Sequence, residues 1–410
     1  MLQSRLILIV VSLATIFLTL SIFNKGRIHD RWQDLRENPS SIEQPELGEH
    51  KEGIPPPHPP WKFKPEIEEQ EDLPMIVDNF PSAAHGLPPI PEWNRPPARH
   101  GQDPTPLLIG FTRSWGLLQQ SVVSYITSGW PANDIYVIEN TGVMDNNKAG
   151  RLNLQNPFFL NYTRLEQLGV NIIRTPTLLN FAQLQNFYIN FAVERQLKGY
   201  FWSHMDVISL SDETHSGSVY SRALDTYHEY FSPNPPNSAK WAAIWFAYDR
   251  LVLVDTASYL DLGGWDTFIG YYLTDCDFHE RIMMKSYTFH DAHVGFIYDI
   301  GHPLPDLSVL YRIGASKNDD SYRDLIATCD RMQIEKNDDK RGRNFWQARQ
   351  EGGKGDPFYK DPKAFEAALL FNIEQGRRLY AEKWGHRGCD LRGSGLGLDM
   401  AWRVQRDWKP

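Results

Sequence analysis

Two short stretches of the chain hold residues able to bind a cation or move a proton. In FWSHMDVIS, residues 201–209, a composition suited to a buried strand is broken by His204 and Asp206. Two positions apart on a strand, both side chains leave by the same face. In GGWDTFIGYYLTDCDFHER, residues 263–281, two glycines precede Trp265 and Asp266, and Asp275 and Asp277 open a helical pattern running through His279, Glu280 and Arg281. An aspartate that ends a buried strand is either satisfied by local capping or held for a ligand, and carboxylate oxygen is the donor that a hard divalent cation prefers. Carboxylates in a first helical turn also have a purely structural use, because they complement the macrodipole and cap free N–H groups. Asp206 and Asp275 lie 69 positions apart, so a fold must bring them together if they act together.

The elements around them are readable as alternating strands and helices. Residues 107–111 form a short apolar strand, and a helix follows over 115–127 before Ser128, Gly129 and Pro131 end it. DIYVIENTG, residues 134–142, turns abruptly from apolar to polar, as a strand entering a loop does, and NIIR at 171–174 is a third strand. Phe181, Leu184, Phe187, Tyr188 and Phe191 recur at helical spacing in a segment ending near Leu197, before Gly199. Such alternation predicts an α/β fold with a mostly parallel, doubly wound sheet, whose ligands sit outside the carboxyl ends of the strands. His204 and Asp206 fall at that end. Beyond His302 the pattern predicts helices over 320–332 and 364–384, with glycine-rich loops at 352–355 and 393–397.

The order strand, helix, strand ending in Glu139-Asn140, helix with Asn186 and Asn190, His-Met-Asp, then GGWD followed by Asp-x-Asp-x-x-x-Arg resembles inverting nucleotide-sugar glycosyltransferases of the GT-A type, close to family 2. The resemblance covers about residues 106–302, and Lys383-Trp384-Gly385 is similar to a motif near the end of such domains. It implies a membrane-tethered enzyme that moves a sugar from a nucleotide-diphosphate donor to a hydroxyl acceptor on a glycan, glycoprotein or glycolipid. By position, Asp206 is the implied ligand of Mn2+ or Mg2+, with His302 completing the site; His290 and His293 compete with it. Asp275 is the implied base that deprotonates the acceptor, and Asp277 is the reserve candidate. Thr112, Arg113, Glu139 and His204 are implied in nucleotide binding, and Gly264, Trp265 and Asp266 in acceptor binding, although a core role for Trp265 is as consistent with its type. Two positions depart from the family pattern: His204 stands where the first aspartate of Asp-x-Asp is usual, and Thr274 where a glutamate is common. These departures leave a non-catalytic sugar-nucleotide or glycan binder as an alternative. A metal-dependent hydrolase is a third reading, weakened by the lack of ligands for a second metal.

Bulk properties agree with one large domain or two smaller ones: 410 residues, 41% hydrophobic, 13% aromatic. A net charge of -9 argues against a nucleic-acid partner. Residues 6–23 are 18 uncharged, apolar positions, enough to cross a bilayer core, and residues 1–30 read as a tail and membrane anchor rather than a cleaved signal, since no small-residue cleavage site follows. Flanking charge favours a cytosolic body, whereas the resemblance and the Asn161-Tyr162-Thr163 acceptor triplet favour a lumen, in the Golgi or endoplasmic reticulum. Residues 31–104, rich in proline and carrying the acidic run EIEEQED, are expected to form an extended, partly disordered stem; 105–303 are the core and 304–410 a helical extension completing it. Three cysteines are too few for a disulfide framework or zinc module, and a Cys329–Cys389 bridge and free thiols are both open.

Overall fold

The computed structural model describes residues 75–81, 87–97, 104–236, 240–340, 342, 344–348, 351–358 and 362–408. The expected anchor lies outside these residues, and no helix among them is long and apolar enough to cross a membrane. Four parallel strands, β1 (Leu107–Phe111), β2 (Ile135–Glu139), β3 (Asn171–Arg174) and β4 (Gly199–Ser203), form one half of a seven-stranded sheet. The sheet order is β3-β2-β1-β4-β7-β6-β8, where β6 is Trp241–Trp245, β7 Leu251–Asp255 and β8 Thr288–Asp291. Strand β7 runs antiparallel to both β4 and β6, so the sheet is mixed beyond the expected parallel half.

Both faces of this sheet are covered, which is why its strands read as continuous apolar runs. Along β1 the side chains alternate: Leu107, Ile109 and Phe111 enter the core beneath α1 (Trp115–Thr127), whereas Leu108 enters a second core with Tyr188 and Phe191 of α4 (Phe181–Glu194). Two short helices, α2 (Met144–Lys148) and α3 (Tyr162–Gln167), lie between β2 and β3. Helix α4 begins with a capping box between Asn180 and Gln183, which satisfies two otherwise orphan N–H groups. It ends at Glu194, short of the expected 197, where Gln196 turns with φ of 55°.

The His-Met-Asp triplet is not in a strand, contrary to expectation. Strand β4 stops at Ser203, and β5 (Val207–Leu210) leaves the main sheet to pair antiparallel with β9 (Phe296–Asp299). Residues 204–206 are the corner between the two sheets, so His204 and Asp206 are placed by a chain reversal and not by strand alternation. After α5 (Val219–Tyr230), α6 (Thr256–Leu262) and α7 (Thr274–Met284), the chain adds α8 (Asp320–Asn337) and α9 (Pro362–Trp384), both longer than the sequence pattern suggested.

Part of the expected stem belongs to the body. Phe80 is buried against Tyr311, with the Arg164 guanidinium 3.7 Å above its ring, and Asn94 donates to the Thr127 carbonyl at 2.9 Å. Trp93 donates to Glu213 at 2.9 Å. Isolated aromatic and amide side chains between the prolines thus find partners that a composition average does not reveal. Cys276 of α7 is bonded to Cys389, and Cys329 is a buried free thiol, so the Cys329–Cys389 option is excluded. This bridge staples α7 to the chain beyond α9 across 113 positions. Replacing both Cys276 and Cys389 by serine is expected to cost about 2–4 kcal/mol. Thermal unfolding should show the midpoint falling by several degrees, and an unchanged midpoint would refute the bridge as a structural staple.

Candidate active site

The corner between β4 and β5 delivers Asp206 to the carboxyl end of the sheet. Pairing of Val207 with Asp299 across the small sheet sets the two aspartates side by side, and the Ile300 N–H donates to the Asp206 carbonyl at 2.9 Å. Both carboxylates are buried. Between them sits the ammonium of Lys336, 2.6 Å from Asp206 Oδ2 and 2.5 Å from Asp299 Oδ1. Burial favours the neutral acid at Asp206, but Lys336, helped by His204, outweighs it and holds the carboxyl below the usual range. His204 lies beside Asp249, with Nε2 3.5 Å from Oδ2. Burial disfavours its imidazolium; Asp249, Asp206 and Asp299 overcome that and raise its pKa.

Lys336 and Asp249 escaped sequence reasoning. Asp249 comes from the loop joining β6 to β7, which packs back on the corner through a hydrogen bond from the His204 N–H to the Arg250 carbonyl. For Lys336 a signal existed. The inward residues of α8 are Tyr322, Leu325, Cys329, Met332 and Lys336, a helical stripe whose last member is charged where the pattern calls for an apolar residue.

The second carboxylate pair divides sharply. Asp277 has no exposed surface and is saturated: Arg281 Nε lies 2.8 Å from Oδ2, Lys383 Nζ 2.6 Å and Trp384 Nε1 2.9 Å from Oδ1. It therefore cannot serve as a base, and its expected reserve role is corrected. Lys383 also pairs with Asp266 at 2.7 Å, so Asp266 is a structural partner of the last helix, not a group displayed to an acceptor. Asp275, in the first turn of α7, is half-buried and makes no hydrogen bond or ion pair among the described residues. Its charge reaches His279, whose imidazolium is disfavoured by burial in spite of Asp275 and Asp249. Asp249 thus acts on both His204, which it contacts, and His279, so Asp206 and Asp275 each share an electrostatic partner with it. The charge of Asp206 also acts on Tyr271, four residues before Asp275.

The GGW turn is built by fit, not by sugar contact. Gly263 ends α6 with φ of 86°, and Gly264 follows with φ of 77°; a Cβ on Gly264 would lie 2.5 Å from Asn186 Oδ1. Asn186 accepts from the Trp265 N–H at 2.8 Å and donates to its carbonyl at 2.9 Å. The Trp265 ring is buried and stacks on Phe278 at 4.1 Å, which removes it from the acceptor-binding candidates. Arg281 Nη2 donates to the Gly264 carbonyl at 2.9 Å, tying the turn to α7. Gly264 accordingly serves backbone packing.

Of the expected nucleotide-binding groups, His204 feels the charge of Asp206 directly, and Arg113 is linked to Asp206 through Tyr271, on which the charges of both act. Its guanidinium donates to the Gln347 carbonyl at 3.2 Å and lies 4.5 Å from the Phe365 ring centre. Burial lowers its pKa to about 10, with the Tyr271 hydroxyl acting in the opposite sense. Gln347 in turn donates to Tyr271, whose own pKa is pushed up to about 12 chiefly by burial. Thr112 lies half-buried beside Arg113 at the end of β1. Glu139 is fully buried and accepts from Asn147 at 2.8 Å, from Thr141 at 3.1 Å and from Tyr162, so it locks the β2–β3 connection and offers nothing to a nucleotide. Asn190 is on the surface, paired with Glu194. His302 is exposed and pairs with Glu335 at 3.3 Å, on the outer side of α8 from Lys336. His290 donates to or accepts from Thr288 in β8, and His293 lies 3.8 Å from Asp212, so neither joins Asp206.

Among the described residues no three His, Cys, Asp or Glu side chains assemble as a metal site. His302 pairs with Glu335, and the carboxylate that adjoins Asp206 is already shared with an ammonium. This donor set fits an internal cation, not a divalent ion.

No protein-family model and no curated protein matches the chain. Solved structures align loosely. A mannosyltransferase, PcManGT from Pyrobaculum calidifontis, in complex with GDP-Man and Mn2+, overlaps with a TM-score of 0.34 at 10% identity, over 74% of this chain and 82% of that one. GalNAc-T7 with UDP, GalNAc and Mn2+ overlaps at 0.33 and 9%, over 70% and 58%. The TarS 1-349 structure from S. aureus overlaps at 0.32 and 10%, over 66% and 80%. Overlaps this slight carry neither fold nor activity across, and the topology and the site geometry stand on this chain alone.

The Asp277 cluster yields a direct expectation. Asp277→Ala leaves Arg281 and Lys383 buried without their shared carboxylate, a change that typically costs about 3–5 kcal/mol. It should appear as a large fall in thermal midpoint; normal stability with selectively lost activity would show instead that Asp277 does chemistry.

Proposed function

We propose that the chain is a glycosyltransferase of the GT-A type, moving a sugar from a nucleotide-diphosphate donor to a hydroxyl on a glycan, glycoprotein or glycolipid with inversion at the anomeric carbon. One observation carries the reading: two carboxylates of opposite character, the charge-compensated Asp206 and the unengaged Asp275, lie within one electrostatic neighbourhood, Asp249 acting on both His204 and His279 and Asp275 on His279, where the corner after β4 leaves the carboxyl end of a mostly parallel sheet. Open α/β sheets bind ligands at that end.

The chemistry follows from what each group is able to do. The acceptor oxygen attacks the anomeric carbon as the bond to the diphosphate breaks, and the acceptor proton passes to the Asp275 carboxylate. Charge accumulates on the departing diphosphate, and positive groups near Asp206 meet it: Arg113 at the end of β1 and Lys336 between the two aspartates. The sequence resemblance implies Mn2+ or Mg2+ in this role, and the surroundings of Asp206 do not fit such an ion. Gln347 and Tyr271 are linked to Arg113 by hydrogen bonds and would border a nucleotide held by it.

We place the protein on a Golgi or endoplasmic reticulum membrane with its body in the lumen. The apolar 6–23 segment supports tethering, and the Cys276–Cys389 bridge supports an oxidising compartment. Asn161 of the acceptor triplet is half-buried, and its side chain caps α3 by accepting from the Arg164 N–H at 2.9 Å.

The test uses the full chain with a panel of nucleotide sugars, following nucleotide release and transfer. Asp275→Asn is expected to retain donor binding while transfer falls by about 10²–10⁴, the range for losing a general base. Normal transfer by this variant would remove Asp275 from the mechanism. Donor binding without turnover in the unaltered protein would favour the non-catalytic sugar-nucleotide binder.

A further inference from the structure

Lys336 occupies a position that helix geometry reserves for an apolar residue. It ends the inward stripe of α8, and only 2% of its side chain is exposed. Burying an ammonium is costly unless it is paired and hydrogen-bonded, and here two buried carboxylates do both. Its stem packs against Gly301, just beyond β9, where a Cβ would sit 3.6 Å from Lys336 Cγ. One turn earlier Gln333 accepts from the Asp299 N–H at 3.0 Å and from Arg250 at 2.9 Å, so α8 is docked on the site by polar contacts on either side of the lysine. The Trp346 ring lies 5.8 Å from the ammonium. The two carboxylates that adjoin here both hold this side chain.

We propose that Lys336 is the resident cation of the donor site and that the protein binds and cleaves its nucleotide-sugar donor without a divalent metal. The assignment rests on the glycosyltransferase reading and changes its cofactor. An ion entering between Asp206 and Asp299 would have to expel an ammonium already bound to both, and among the described residues no group of three His, Cys, Asp or Glu side chains could hold it, His302 being paired with Glu335. An ammonium has three N–H donors. Asp206 and Asp299 take two of them, which anchors the charge without any exogenous ion. The lysine offsets much of the negative charge that Asp206 and Asp299 would otherwise present to the diphosphate, while the acceptor proton still goes to Asp275.

Two measurements on the full chain decide this. In the first, Mn2+ is titrated into the protein, with the free-ion spin-resonance signal reporting binding, for the unaltered chain and for Asp206→Asn. No saturable site that depends on Asp206 is expected, and one that Asp206→Asn abolishes would overturn the proposal. In the second, nucleotide-sugar binding and turnover are compared in manganese and in excess chelator. Equal values are expected, and loss in chelator would overturn the proposal wherever the ion binds. Lys336→Met should lower turnover about 10²–10³-fold, as removal of one group stabilising a developing anion does, with chelator still without effect. Should Lys336→Met fail to fold, Lys336→Arg keeps the charge and should retain turnover independent of metal. If no nucleotide sugar binds under either condition, the glycosyltransferase reading fails, while the manganese titration still decides whether the lysine excludes an ion.

Discussion

A carboxylate with no access to water must be neutralised by the protein around it, and Asp277 shows how much structure that demand organises. Its two oxygens gather Arg281 from its own helix, and Lys383 and Trp384 from the end of the last long helix. Arg281 then reaches the Gly264 carbonyl and Lys383 reaches Asp266, so the glycine turn, α7 and the C-terminal portion are fixed relative to one another through a single buried charge. Any one partner removed leaves the others uncompensated, which makes the arrangement mutually dependent. The disulfide from Cys276, the residue before Asp277, to Cys389 reinforces the same junction. Asp275, two residues away on the same helical turn, inherits a fixed position without being tied up itself. The rigid neighbour and the unengaged one are complementary parts of one turn.

A second buried carboxylate centre repeats the theme. Pairing of Val207 with Asp299 brings Asp299 close to the preceding residue, Asp206, and two buried like charges so placed would repel unless a cation lay between them. Lys336 fills that need from α8. The cation belongs to the chain, so its position is set by helix packing and not by the concentration of an ion. His204 and Asp249 extend the charge network toward His279, and the two carboxylate centres share one electrostatic neighbourhood.

The division of labour between aromatic and polar groups follows from these constraints. Trp265, conspicuous in the sequence beside two glycines, is spent on stacking with Phe278 beneath the turn, and Asn186 completes the turn by pairing with the backbone on both sides. Glu139, at the end of a strand where a ligand contact was expected, is consumed by Asn147, Thr141 and Tyr162. Groups that stay available around the cleft are those at chain corners or first turns, where local backbone hydrogen bonding does not claim them.

The parallel half of the sheet, its helices and the carboxyl-end location of the Asp206 region were legible in the sequence, because apolar periodicity is set locally by side-chain direction along a strand or helix. Asp275 and Asp277 could be marked as chemically capable, but their types are identical and their first-turn positions nearly so. Only tertiary structure separated them, by burying one under Lys383 and Trp384 from more than a hundred residues away. The same holds for the antiparallel β7, for the corner that carries His204 and Asp206 off the strand, and for the choice of Cys276 as the partner of Cys389. What sequence by itself determined was which residues had chemistry to offer. Whether each was free, buried or already paired depended on contacts between distant segments, and a buried charge takes its state from whatever the fold places within hydrogen-bonding distance.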